Sequence, residues 1–353
     1  MNGYYWNGKF IDEKNNFSEL KNGEGIIKDY FTNGKIFFEG KYLNGKWNGK
    51  GRQYDSNGNL IFEGEYKNDK RWNGKGYDDS NNVIYELKNG IGKIKKFYNG
   101  KLLFEGEYIN GERNGKGKEY YDDGHLKFEG EYLNDERYGK GKEFYDEGHI
   151  KFEGEYKNND RNGKGKEYYY NGQIEYEGEY LNNERNGNGK EYYDNGKLKF
   201  EGRYLYLFKL NGKEYINGRL EYEGDYLYNR KWKGKGYDEN GNIIYILNNG
   251  NGKVKEYDDD GKLVFEGEYL KGKRNGKGKE YDDNKLIYYG EFLNDEYWNG
   301  IEIKENEEDN EEYNEEDNEE DIEEYIEEDN KLILTEYING KKYIIKNISY
   351  QNN

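Results

Sequence analysis

The chain repeats one short phrase, an aromatic residue followed by Glu and Gly, mostly at intervals of 24 residues. The glycine of this phrase falls at positions 40, 64, 106, 130, 154, 178, 202, 224 and 267, and Gly290 ends a variant in which Tyr289 replaces the glutamate. A period of this size indicates one supersecondary unit per repeat. Such units stack in a line, so each contacts its neighbours instead of a common central core.

Each unit has the pattern of a β-hairpin, as the stretch Gly115–Leu133 shows. From Leu126 to Tyr132 apolar residues or glycine alternate with charged residues, which is typical of a half-buried strand. The strand follows Asp122-Asp123-Gly124, and these residue types are favourable where a tight turn needs positive φ. The sequence therefore predicts an all-β chain of antiparallel hairpins.

A single two-stranded hairpin is marginally stable in water, so the aromatic face of each unit has to be covered by the same face of its neighbours. We expect Gly130 and its equivalents where a neighbouring ring crosses the backbone and leaves no room for a Cβ atom. The recurrent glutamates, such as Glu129 and Glu131, lie on the opposite strand face and are expected to pair with Lys and Arg rungs. Two strands per repeat, about 4.7 Å apart, predict an elongated array on the order of 100 Å long.

This repeat resembles the MORN repeat, whose signature is YxGxxxNGxxxGxGxxxxxxGxxxxG. The run from Tyr176 to Asn182, continued by Gly187-Asn188-Gly189, matches the signature. Most units here have 24 residues, whereas the usual MORN unit is one residue shorter, and the Asn-Gly turn followed by Lys-Leu is similar to the variant MORN class. The resemblance covers about residues 5–300 and implies a MORN-like hairpin array, which we assign to residues 1–300.

The negative charge of the chain is concentrated in one segment near its C-terminus. The net charge is -18, but residues 301–330 hold 18 acidic side chains and one base, Lys304, while the rest carries 56 acidic and 55 basic side chains. The balanced body excludes a basic nucleic-acid-binding surface. Because like charges would stack at i and i+4 on a helix, we predict a disordered acidic low-complexity insert over 301–330. Strand patterning resumes afterwards, which predicts a C-terminal β cap over 331–353.

Side chains for catalysis are sparse, and we predict no enzyme, no cofactor and no metal site. There is no Cys, and no signal-peptide pattern or apolar run long enough for a membrane span, so a cytoplasmic location is the expectation. His125 and His149 follow turn glycines, where other repeats carry Lys or Gln, and are interpreted as surface turn residues.

Some repeats depart from the pattern, and their departures suggest sites. The segments Val83–Gly90 and Ile243–Gly250 are shortened repeats in which Leu replaces the usual Gly, and we predict a bend or altered twist at each. The five tryptophans all lie two residues before a glycine that opens a predicted strand, and at Trp47, Trp72 and Trp232 this glycine starts a Gly-x-Gly motif. Their indoles either fill the space left by the missing loops or form a partner-binding aromatic row, for which the candidates are Trp47, Trp72 and Trp232.

The loop after Gly202 is apolar where the preceding repeat is polar. It reads Tyr204-Leu205-Tyr206-Leu207-Phe208-Lys209-Leu210. An exposed run of this kind marks an interaction or self-association site, while the alternative is a local extra strand or side chains tucked over the array. Tyr206, Leu207, Phe208 and Leu210 are therefore candidate partner-binding residues.

Three functions fit this sequence. The MORN resemblance implies a scaffold for protein-protein interaction, with a partner that the sequence does not identify. It also implies a membrane-apposed adaptor that binds anionic phospholipid headgroups at the membrane periphery, for which an arginine series is available: Arg113, Arg137, Arg161, Arg185 and Arg274. A third alternative is an inhibitor similar to antitoxin and immunity proteins with variant MORN repeats.

Overall fold

The structure, a computed structural model, describes residues 7–11, 17–98, 100–305 and 331–349. In these residues the regular elements are β-strands that pair antiparallel, so the predicted all-β hairpin array is confirmed. Contacts divide the chain into two compact units, Met1–Asn186 and Gly187–Asn353. The predicted acidic insert lies outside the described residues from position 306 onward, and so does Trp6.

The strands of the first unit follow one another at short intervals: β1 Gly8–Ile11, β2 Phe17–Leu20, β3 Gly25–Tyr30, β4 Ile36–Leu43, β5 Lys46–Tyr54, β6 Leu60–Lys67, β7 Lys70–Tyr77, β8 Val83–Leu87, β9 Gly92–Tyr98, β10 Lys101–Ile109, β11 Glu112–Tyr120, β12 Leu126–Leu133, β13 Glu136–Phe144, β14 Ile150–Lys157, β15 Asp160–Tyr168 and β16 Ile174–Leu181. β1 pairs with β2, β3–β8 form a six-stranded sheet in chain order, and β9–β16 are again successive neighbours.

The second unit continues the pattern: β17 Glu184–Tyr192, β18 Leu198–Leu205, β19 Phe208–Ile216, β20 Arg219–Leu227, β21 Arg230–Tyr237, β22 Ile243–Leu247, β23 Gly252–Tyr257, β24 Leu263–Leu270, β25 Lys273–Asp282, β26 Lys285–Leu293, β27 Glu296–Glu305, β28 Lys331–Ile338 and β29 Lys341–Ser349. β17 begins just before the boundary. β17–β22 are successive neighbours, and β23–β29 form a seven-stranded sheet. The strands in the predicted cap, β28 and β29, thus extend the sheet that contains β27.

Two kinds of turn alternate along the chain. At the predicted turn, Gly124 has a φ of 93° and its N–H donates to the carbonyl of Tyr121 over 2.9 Å. The next turn, Asn134-Asp135, was not predicted, and both its residues have positive φ, as in a type I′ hairpin. Asp135 accepts a hydrogen bond from Arg113 N (2.8 Å) and donates one to Arg113 O (3.0 Å). The same two bonds tie the turns at Asp69, Asn159, Asn183 and Asp295 to the strand of the preceding repeat.

Glycines face each other across the strands where the buried rings lie. Gly130 pairs with Gly117 on one side and with Gly141 on the other. A Cβ atom on Gly130 would lie 2.7 Å from Gly141 Cα and 2.7 Å from Cζ of Phe128. The prediction that a ring leaves no room for a side chain is confirmed, but the ring belongs to the same strand and not to a neighbouring repeat.

The shortened repeats interrupt the backbone ladder. β8 ends one sheet and β9 begins the next, joined by the isolated bridge Lys88↔Ile91, and Asn248↔Asn251 forms the corresponding bridge in the second unit. The leucines that replace glycine there, Leu87 and Leu247, are each 1% exposed. They cover the end of one sheet where the next begins, so these repeats are sites at which the sheet is broken.

Candidate interaction surface

Each buried ring of the repeated phrase is covered by the side chain nine residues later. The Arg137 guanidinium carbon lies 4.0 Å from the ring centroid of Phe128, and the indole of Trp47 stacks on Phe38 at 4.1 Å. We call these side chains the cover residues: Trp47, Arg71, Arg113, Arg137, Arg161, Arg185, Lys209, Lys231, Arg274 and Tyr297. The rings are therefore held between glycine backbone on one side and a cation or aromatic group on the other.

The cationic cover residues alternate with glutamates in a ladder of ion pairs. Glu143 lies 2.6 Å from Arg161 and 3.6 Å from Arg137, and Arg161 reaches Glu167 at 2.7 Å. The Tyr156 hydroxyl donates a hydrogen bond of 2.9 Å to the Glu143 carboxylate. The exposed fractions of the Glu143 and Arg161 side chains are 21% and 15%. These charges are half-buried and satisfied by partners in adjacent repeats.

The ladder shifts the pKa values of its carboxyl groups. Burial raises the pKa of Glu143, but the hydrogen bonds from Arg161 and Tyr156 and the positive charges of Arg161 and Arg137 together outweigh burial, so the pKa lies below its ordinary value. Glu214 has the same arrangement, with Lys231 at 3.2 Å and Lys209 at 3.3 Å. Burial opposes ionisation there too, yet the two ammonium groups lower the pKa from 4.5 to about 2.

Acid should therefore weaken the second unit. A carboxyl whose pKa is depressed in the folded state stabilises it above the unfolded pKa, and this stabilisation is lost as the pH falls from 4.5 to 2. For Glu214 the loss amounts to about 3 kcal/mol. Urea midpoints at pH 7, 4.5 and 2.5 should show a smaller decrease in Glu214→Gln than in the wild type. The exposed Glu223→Gln is the control, and equal pH dependence in all three proteins would contradict the assignment.

The arginines on which the lipid-binding alternative depends are cover residues. Their side chains are 15–28% exposed, and each is paired with a carboxylate: Arg113, Arg137, Arg161, Arg185 and Arg274. Their positive charge is neutralised within the array, so they do not present a free basic surface. Binding to phospholipid headgroups stays a prediction without support from this geometry.

The tryptophans do not share one structural position. Trp47 pairs with Tyr42 in the register in which Arg71 pairs with Tyr66, so Trp72 comes one position after its cover residue. The shared spacing before a glycine therefore does not give the tryptophans one structural position, because the two hairpins carry different bulges. Trp232 likewise follows the cover residue Lys231, and all three candidate tryptophans are half-buried. Their role in partner binding stays a prediction.

The apolar loop continues the hairpin and leaves its side chains in solvent. Tyr206 and Leu207 occupy the turn between β18 and β19, and Phe208 packs edge-on against Tyr228 of the next turn at 5.7 Å. We call the exposed set the apolar patch; its members are 37–72% exposed and comprise Leu205, Tyr206, Leu207, Phe208, Leu210, Leu227 and Tyr228. The four predicted patch residues therefore lie together, with three further apolar neighbours.

The patch turn is strained. Tyr206 and Leu207 have φ values of 48° and 70°, where bulky L-residues are rarely found. The equivalent turn of the preceding repeat uses Asn182 and Asn183, which tolerate this conformation. Local strain that serves no packing purpose is typical of functional positions.

His125 and His149 are exposed in loops, and His125 Nδ1 lies 3.3 Å from an oxygen of Asp123. Within the described ranges no group of three or more His, Cys, Asp or Glu could hold a metal ion. No helix in that part of the chain is long and apolar enough to cross a membrane.

Comparison with protein families fixes the identity of the repeats. The MORN repeat model matches residues 104–126, 152–174, 176–197 and 265–285. The MORN repeat variant matches residues 23–44, 47–68, 137–158 and 250–271. The chain contains MORN repeats. The MORN matches fall in both compact units, and they confirm the resemblance seen in the sequence.

Whole-protein comparisons add little to the MORN assignment. No curated protein matches the chain. Among solved structures it is similar to the crystal structure of TcdB2-TccC3-Cdc42, at 10% identity over 91% of this chain and 17% of that one, with a TM-score of 0.14. TcdB2-TccC3 without its hypervariable C-terminal region gives 8% identity, the same coverage and a TM-score of 0.16. The MORN chain thus spans about a sixth of the length of these chains.

The ion ladder of this MORN array was missed in the sequence. The pairing of Glu129 with a lysine rung is confirmed by the 3.6 Å contact with Lys118. The ladder glutamates are a different set, one strand away from the repeated phrase. Their signal is an acid six residues after the cover residue, as in Arg137 and Glu143 or Arg161 and Glu167.

Proposed function

We propose that this MORN protein is a non-enzymatic scaffold that binds a protein partner through the apolar patch. The observation that carries the proposal is the strained turn of Tyr206 and Leu207, whose side chains are 51% and 53% exposed. The fold tolerates Asn at this turn, so packing does not explain the bulky residues. An apolar partner surface does, because contact with it removes these side chains from water.

The size of the patch suits a protein interface. Its seven side chains expose roughly 700 Å², close to the ~800 Å² that one partner contributes to an interface of standard size. Tyr206, Phe208 and Tyr228 supply aromatic groups of the kind that dominate binding energy at interfaces. Lys209, between the patch residues Phe208 and Leu210, is committed to ion pairs inside the ladder, which supports binding and not catalysis.

A double substitution separates binding from folding. Tyr206→Asn with Leu207→Asp restores residue types found at the other type I′ turns, so we expect relief of strain worth roughly 1 kcal/mol per residue. The thermal midpoint should rise by a few degrees. Proximity labelling with the wild type and the variant as baits should show partners that the more stable variant loses.

Identical partners for both baits would contradict the proposal, and so would a variant that is less stable than the wild type. Light scattering of the purified proteins distinguishes the occupant of the patch. If a second copy covers it, the wild type is a dimer at micromolar concentration and the variant a monomer.

A further inference from the structure

Three hairpins place a tryptophan directly after the cover residue. They are Lys67–Trp72, Leu227–Trp232 and Leu293–Trp298, and we call them the tryptophan hairpins. In all three the cover residue pairs with the aromatic residue five positions earlier. The tryptophan carbonyl then accepts a hydrogen bond from the glycine of the following Asn-Gly turn, at 2.7, 2.6 and 2.9 Å. Because the geometry is the same, the hairpins can be compared position by position.

The first tryptophan hairpin supplies its own cation to the indole. Lys67 Nζ lies 4.3 Å from the ring centroid of Trp72. Gly90 of the next turn lies against the same indole, since a Cβ atom on it would be 2.9 Å from Cε3. Lys70 and Arg71 add two more positive charges in this hairpin.

The third tryptophan hairpin has lost all three cations. Leu293, Glu296 and Tyr297 replace Lys67, Lys70 and Arg71. Gly340 packs against the indole as Gly90 does in the first hairpin, with a Cβ position 3.2 Å from Cε3 of Trp298. The site that binds a lysine in the first hairpin is therefore retained in the third, while the lysine is not.

A cavity of about 730 Å³ opens at this position in the second unit. Its walls include Trp298, Tyr297, Tyr337, Asp295 and Glu296. Arg274 also lines it, but its guanidinium is held by Glu256 at 2.9 Å and Glu280 at 2.7 Å. Asp295 is paired with Arg230 at 3.0 Å, so Glu296 is the carboxylate on which the site depends. An aromatic face beside a carboxylate attracts a cation and disfavours an anion.

We propose that this cavity binds a lysine or arginine side chain of a partner segment, held over the indole of Trp298 and beside Glu296. The bound cation takes the place that Lys67 occupies over Trp72. The site is separate from the apolar patch, so it stands or falls independently of the function proposed above.

The test uses the full chain labelled with 5-fluorotryptophan, whose five ¹⁹F resonances are assigned with single Trp→Phe variants. The probe is the blocked tripeptide acetyl-Gly-Lys-Gly-amide, and the matched control contains norleucine in place of lysine. We expect the lysine peptide, but not the norleucine peptide, to cause a saturable shift of the Trp298 resonance. The Trp72 resonance should stay in place, because Lys67 already covers that ring.

The variant Leu293→Lys rebuilds the first hairpin in the third and should fold normally, since Lys67 stands at the equivalent position. It should weaken the effect of the lysine peptide on Trp298 at least tenfold. The proposal is overturned if Trp298 does not respond, if the norleucine peptide shifts it equally, or if Leu293→Lys leaves the response unchanged. A cation captured by the acidic segment instead would leave the Trp298 resonance unmoved.

Discussion

Replacing Gly141 with alanine should destabilise the centre of the first unit by about 3 kcal/mol, as expected for overpacking against a rigid neighbour. A Cβ atom there would lie 2.5 Å from Cζ of Phe128 and 3.1 Å from Cε2 of Tyr156. Phe128 is fully buried and held beneath Arg137, so its ring has no free space into which it can move. Hydrogen exchange of residues 126–157 is the measurement, because repeat arrays open segment by segment.

The double variant Gly141→Ala with Phe128→Leu provides the control. Leucine lacks the Cζ atom that meets the new Cβ atom, so the clash is removed. The loss in unfolding free energy of the double variant should therefore be less than the sum of the losses in the two single variants. If the two losses are strictly additive, the alanine destabilises the strand through its backbone propensity and not through contact with the Phe128 ring. That result would contradict the explanation that glycine recurs at this position because a Cβ atom would clash with the ring.

Removing a ladder glutamate should cost nearly as much. Glu143→Ala leaves the half-buried guanidinium groups of Arg137 and Arg161 without their shared carboxylate and Tyr156 without its acceptor, at an expected cost of about 3 kcal/mol. The measurement is the shift in urea midpoint. Glu129→Ala is the matched control, since Glu129 lies 3.6 Å from Lys118 with both side chains more than a third exposed, and its loss should cost about 0.5 kcal/mol or less.

Salt gives a second way to separate the two variants. Raising the ionic strength screens exposed pairs more strongly than buried ones, so the deficit of Glu143→Ala should persist in 1 M NaCl. Similar costs for Glu143→Ala and Glu129→Ala would mean that the ladder is a surface feature without a structural role.

The fold could be predicted from local patterns because the strand alternation, the turn residues and the repeat period all indicate the same hairpin. Alternation from Leu126 to Tyr132 indicated the strand, and Gly124 marked the turn that it forms in the structure. The type I′ turn at Asn134-Asp135 was missed because it lies just beyond Gly115–Leu133, the stretch that was interpreted as one hairpin unit. Its signal was present, since Asn and Asp both tolerate positive φ.

The cover residues could not be derived from strand alternation. Arg137 pairs with Tyr132 on the face that carries Phe128, so its placement over that ring depends on the type I′ turn between the two strands, which was missed. The candidate patch was found from residue type alone, because Leu and Phe at a turn are anomalous in any register. The cavity at Trp298 could not be predicted from the sequence, because it depends on the positions of side chains from several strands in three dimensions.

Each ladder carboxylate is shared by the repeats on both sides in the same way: Glu143 joins Arg137 to Arg161 as Glu167 joins Arg161 to Arg185. Excising residues 128–151 would join Lys127 to Phe152 and bring Arg161 to Glu119, the partner that Arg137 has now. Loss or gain of one whole period by replication slippage thus leaves no stranded charge at the new junction. The array can therefore gain or lose one repeat during evolution without a second mutation to restore charge pairing in the ladder.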